Sequence, residues 1–171
     1  MEYAAFASVG LGLALVLIRG GQLFGLTIQA MPFAEMVGKL ARAKNYERAL
    51  KLCDAAPKAV AAATIRGGIA EMIRTSSATD AASGFETARI DQEARLVAGR
   101  KLALGGIALA LAGAMLVAST AVFDTTFDGV CGAALAVAVI GVWTMARERS
   151  LISDATGAWQ HHVLPVLREA T

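Results

Sequence analysis

Charge is missing from long stretches of this sequence. Only 18% of its 171 residues are Asp, Glu, Lys or Arg, and none falls within 102–123 or 129–146. As helices these two runs reach roughly 33 and 27 Å, each close to the thickness of a bilayer's hydrocarbon core. Two consecutive uncharged runs of that length are poorly explained by buried helices of a soluble domain. They read as a helical hairpin in a membrane, turning at Asp124-Thr125-Thr126-Phe127-Asp128. Proline is scarce, and no strand-like alternation persists, which excludes a β architecture and leaves an all-α chain. The two cysteines, Cys53 in a polar segment and Cys131 in an apolar run, belong at different depths, which excludes an intrachain disulfide. Net charge is only +2, with bases and acids interleaved, so nothing points to nucleic acid. The two histidines, His161 and His162, are adjacent. On a helix they diverge, so no metal site is expected. No nucleophile–base pair is present, and Gly67-Gly68 lacks the Gly-Lys-Ser/Thr of a phosphate loop. The sequence predicts neither an enzyme nor a cofactor.

What is present divides into four consecutive segments. Residues 1–30 form a first membrane helix and its extension. Apolar residues lead to Arg19, which is expected to snorkel toward the headgroups. Residues 31–101 form a helical region. Phe33, Met36, Val37 and Leu40 recur at helical spacing, Asn45 is placed to cap a helix that ends before Pro57, and Val60 to Ile73 outline another. After the polar break at 75–80, with Asp80 as cap, a helix stabilised by Arg89–Glu93 and Asp91–Arg95 pairs is expected to run unbroken into the second span. Residues 102–146 are the hairpin. Residues 147–171 form a tail helix carrying Trp159, Val163, Leu164 and Leu167, interrupted by Pro165. Trp143 and Trp159 fit anchoring at a membrane interface.

Twelve of the sixteen Lys and Arg fall within 39–101, and the tail carries Arg147, Arg149 and Arg168, whereas the hairpin turn carries only acids. The tendency of basic loops to stay inside places the N-terminus outside, the long loop and tail in the cytoplasm, and the turn outside. Small residues provide close-packing surfaces: Gly106, Ala110 and Gly113 on the second span, and Gly132 with Ala136, or Ala134 with Ala138, on the third. They suit either the hairpin itself or an oligomer. Asp124 and Asp128 are read as solvated residues of the outer turn.

The stretch Ala43-Lys44-Asn45-Tyr46-Glu47-Arg48-Ala49-Leu50-Lys51-Leu52-Cys53-Asp54-Ala55-Ala56-Pro57 resembles the first cytoplasmic region of the MotA/TolQ/ExbB family, the channel subunits of proton-driven membrane motors. Ile90-Asp91-Gln92-Glu93-Ala94-Arg95, leading through Arg100-Lys101 into an apolar span, is a second likeness. The plan of one span, a long helical loop, a tight pair of spans and a tail is a third. The resemblance implies a subunit of the bacterial inner membrane that forms a homo-oligomeric ring, such as a pentamer, around a single-span ExbD/TolR/MotB-like partner carrying a membrane Asp. It implies an ion path lined at Thr120 and Ser119. The third span departs from the family, with Gly, Ala or Val where its acid and Thr would fall, and the outer turn is short. The alternative is therefore a non-conducting scaffold subunit that keeps the fold. An unrelated three-span anchor is a further reading if the 43–57 likeness is fortuitous.

Overall fold

The computed structural model describes residues 2–119 and 125–170. The described residues are helical, with no strand among them: α1 (Glu2–Leu26), α2 (Ala30–Arg42), α3 (Tyr46–Asp54), α4 (Val60–Thr75), α5 (Ala78–Ala118), α6 (Thr125–Ala158), a π-helical turn (Trp159–Val163) and α7 (Leu164–Ala170). Three helices are long and apolar enough to cross a membrane. Only 28% of the apolar window of each is buried within the chain, so most of that surface is left for lipid or other protein.

The chain divides into two compact units that are discontinuous in sequence, Met1–Phe24 with Val97–Glu148 and Gly25–Leu96 with Arg149–Thr171. The long helices α5 and α6 contribute extensively to both units, and α1 reaches the second with its last two residues; the lack of any breaker before Leu102 predicts this for α5.

In the first unit α1 runs antiparallel to α5 and parallel to α6. Ala5 and Val9 pack with Val117 and Val130 toward one end, and Val16 packs with Ala110, Ala134 and Val137 in the middle. Gly12 and Gly106 face each other so closely that a Cβ on either would overlap the other's carbonyl oxygen. In a membrane the gain from such contact is dispersion and weak Cα–H···O bonding.

The second unit is a small helical bundle. Asn45 caps α3, its Oδ1 accepting the Arg48 N–H at 3.4 Å. The break before α5 is made by Ser76 in the left-handed region (φ 54°) and Ser77, whose Oγ accepts the Asp80 N–H. Ser77 thus takes the capping place expected of Asp80, which lies within the first turn. On α2, Phe33 and Val37 are buried, whereas Met36 is exposed. Arg89 pairs with both Glu86 and Glu93 on the surface of α5. The core of this unit closes on Trp159, which is 2% exposed and stacks on Phe85 with ring centroids 4.6 Å apart. The ring lies against Gly68, where any Cβ would collide with it. That slot overrides the interfacial placement expected of this tryptophan. Trp143, half-exposed on α6, keeps an outward position.

Cys53 is fully buried in α3, and burial pushes its thiol up to about 12. At pH 8 roughly one molecule in ten thousand would carry the reactive thiolate at that position. Iodoacetamide treatment of the native protein at pH 8 should leave Cys53 unmodified, with full modification after unfolding. Peptide mass spectrometry showing native labelling at the rate of a free cysteine would contradict the packing of α3.

A buried ion cluster closing one end of the three-helix unit

The apolar runs of all three spans stop at the same end of the first unit: before Arg19 on α1, after Lys101 on α5 and before Arg147 on α6. The antiparallel course of α5 brings Arg100 back to that end, and α6 arrives there with Glu148. Glu148 is 1% exposed and Arg19 is 4% exposed. A carboxylate this deep requires charged partners and full hydrogen bonding, since desolvation costs several kcal/mol, about that much per ion. Both conditions are met. Oε1 of Glu148 accepts from Nε of Arg19 at 2.9 Å and from Nη2 at 2.6 Å. Oε2 accepts from Nε of Arg100 at 3.2 Å. Nη1 of Arg19 donates to Oε1 of Gln22 at 3.3 Å.

Gly99 provides the room. A Cβ there would overlap the Arg19 guanidinium, so the missing side chain lets that group lie flat against α5. One turn deeper, Thr144 is fully buried, beside Gly20, and its hydroxyl donates to the Gly141 carbonyl at 2.7 Å. The cluster of two guanidinium groups and one carboxylate carries a net charge of +1. Two Arg19 donors converge on one carboxylate oxygen while Arg100 takes the other, an arrangement that fixes α1 and α6 to one rotational register and ties α5 to both.

Arg19 therefore does not snorkel; it turns inward because a buried carboxylate offers a better partner than solvent. Glu148 and Arg100 are residues that sequence reasoning missed. The available signal was Glu148 itself, a lone acid set between Arg147 and Arg149 where an apolar run ends.

The sequence-predicted residues fall into three groups. Gly106, Ala110 and Gly113 all face α1, with Gly106 against Gly12 and Val16, and Gly113 against Ala5, Ser8 and Val9. Gly132 and Ala136 are exposed, and internal packing on that helix is made instead by Ala134 and Val137. The α6 surface turned toward α1 and α5 is offset from them by the helical phase of Val130, Ala134 and Val137. Ser119 is exposed and donates to the Leu116 carbonyl at 2.8 Å, while Asp128 is exposed in the first turn of α6. Thr120 and Asp124 lie outside the described residues. Among the described residues no group of three or more His, Cys, Asp or Glu is placed to hold a metal ion. No family model, curated protein or solved structure matches the chain.

Breaking this cluster from one side should be far worse than replacing it whole. Glu148→Ala leaves the buried Arg19 guanidinium without its carboxylate, beside a partly exposed Arg100, and should cost about 3–5 kcal/mol in detergent unfolding measurements. Gly99→Ala should destabilise the same end by displacing Arg19. The triple variant Arg19→Met, Arg100→Met, Glu148→Leu should recover most of the Glu148→Ala loss. A triple variant no more stable than Glu148→Ala would show that the charges do more than satisfy one another.

Proposed function

We propose that this chain is a non-enzymatic, ring-forming subunit of a bacterial inner-membrane complex, built on the plan of ExbB/TolQ/MotA proteins and serving chiefly as a scaffold around a single-span partner. The observation that carries this reading is the distribution of polar groups in the spans. In a ring, any path between copies is lined by the outward surface of each copy. Among the described residues the large side chains exposed on the spans of α5 and α6 are apolar, Leu104, Leu111, Met115, Leu135, Val139 and Val142 among them, with Gly132 and Ala136 also exposed. Arg19, Thr144 and Glu148 are turned into the unit instead, and Ser119 is satisfied by its own helix. The exposed small residues on α6 favour close approach of a neighbouring helix from another copy or a partner.

The orientation that goes with this reading has the N-terminus and the hairpin turn outside, and 31–101 and the tail in the cytoplasm. The buried ion cluster then lies at the cytoplasmic end of the spans, where basic residues are retained.

A second reading is the energy-transducing one, a proton-motive-force-driven motor subunit. What supports it is the sequence likeness of the 43–57 stretch, which forms α3 with its Asn45 cap and buried Cys53 and is followed by Pro57. With no acid in the uncharged parts of α5 and α6, the ion-carrying carboxylate would come from the partner, and Ser119 and Thr120 would line the path near the outer end.

The mass of the detergent-purified protein tests the shared premise: a ring predicts a defined oligomer, and a stable monomer would sink both readings. Proton flux in liposomes with the co-purified partner separates them. The scaffold predicts flux unchanged by Thr120→Val, whereas the motor predicts flux abolished with assembly intact. Reporter fusions after Thr171 and within 75–80 should report the cytoplasmic side.

A further inference from the structure

The tail does not continue α6 as a plain α-helix. Proline at 165 has no N–H to give the His161 carbonyl, and its ring would crowd that carbonyl in a regular turn. The helix widens over Trp159–Val163, where the Leu164 N–H reaches the Trp159 carbonyl five residues back. Such turns are uncommon, and they recur where a side chain must be re-aimed. Gly38 of α2 seats this one: a Cβ there would collide with the His162 carbonyl. The wider turn reduces the rotation between neighbours, and the two adjacent histidines, expected to diverge, line one cleft.

That cleft, of about 280 Å³, lies between α2 and the π turn within the second unit. Its lining brings together Lys39 and Arg42 from the last turn of α2 with His161 and His162. Among the described lining residues Glu35 is the only acid, and it is already paired with Lys39 at 2.7 Å. Its carboxyl is held below the usual range, chiefly by the Lys39 hydrogen bond and charge and to a lesser degree by His162. The cleft therefore presents one guanidinium and two imidazoles beyond that internal pair. A guanidinium fork with imidazole donors matches the tetrahedral oxygens of phosphate better than a single-point carboxylate.

We propose that this cleft binds a phosphate-bearing anion, with Arg42 as the principal charge and His161 and His162 as flanking donors. Two sources share that chemistry, a soluble phosphate ester and a phospholipid headgroup. Titration calorimetry of the full chain in phospholipid-free maltoside micelles, with inorganic phosphate as the probe, tests the site. Binding in the millimolar range is expected, weakened about tenfold by Arg42→Gln and by the paired His161→Gln, His162→Gln variant. Glu35→Gln removes the only acid of the lining and should tighten binding about threefold, an effect that misfolding cannot imitate. Lys58→Gln, outside the cleft, should leave binding unchanged. Repeating the titration in nanodiscs containing phosphatidic acid separates the sources: loss of the phosphate signal assigns the site to a headgroup, and its persistence assigns it to a soluble ester. Absence of binding up to about 20 mM in phospholipid-free micelles, or binding indifferent to both Arg42→Gln and Glu35→Gln, would overturn the proposal.

Discussion

One carboxylate organises the membrane unit. Glu148 is buried where the apolar runs of three helices end, and it is tolerated there only because Arg19 and Arg100 both reach it. Helices in lipid gain little from apolar burial, since the acyl chains compete on equal terms. Packing of small residues brings α1, α5 and α6 together, but a run of Gly, Ala and Val leaves their rotation and sliding loosely specified. A directional cluster of charge-assisted hydrogen bonds at one end removes that freedom. Much of the local sequence serves it: Gly99 leaves space for the guanidinium, Gln22 takes its remaining edge, and Thr144 ties its hydroxyl to its own helix so that no unmet donor competes nearby.

The second unit is specified differently. Its helices are shorter, amphipathic and capped, and they close around a stacked Trp159–Phe85 pair. Trp159 belongs to the tail and Phe85 to the helix that becomes the second span. This explains why the compact units are discontinuous: the tail's largest aromatic finds its slot beside Gly68, far back in the chain.

The helices and the two uncharged spans were legible because hydrophobic periodicity and run length act locally. So were the Asn45 cap and the unbroken α5, since both follow from the presence or absence of a single residue type. The ion cluster was not legible as a cluster. Arg19, Arg100 and Glu148 each look like ordinary juxtamembrane charges, and only the antiparallel return of α5 brings them within reach. Gly132 and Ala136 illustrate the converse limit. Small-residue spacing identifies a surface suited to close packing, but the phase of Val130, Ala134 and Val137 decides which surface meets the rest of the chain. That His161 and His162 line a cleft with Lys39 and Arg42 was not legible, since it depends on α2 packing against the π turn through Gly38.

The cluster is not balanced in charge. Two guanidinium groups answer one carboxylate, and of the two Arg100 is the more exposed, so the excess positive charge sits on the side of the cluster that solvent can reach. In lipid that excess is best met by water or by anionic headgroups at the level of Arg100, which favours holding this end of the three helices at the edge of the hydrocarbon rather than within it.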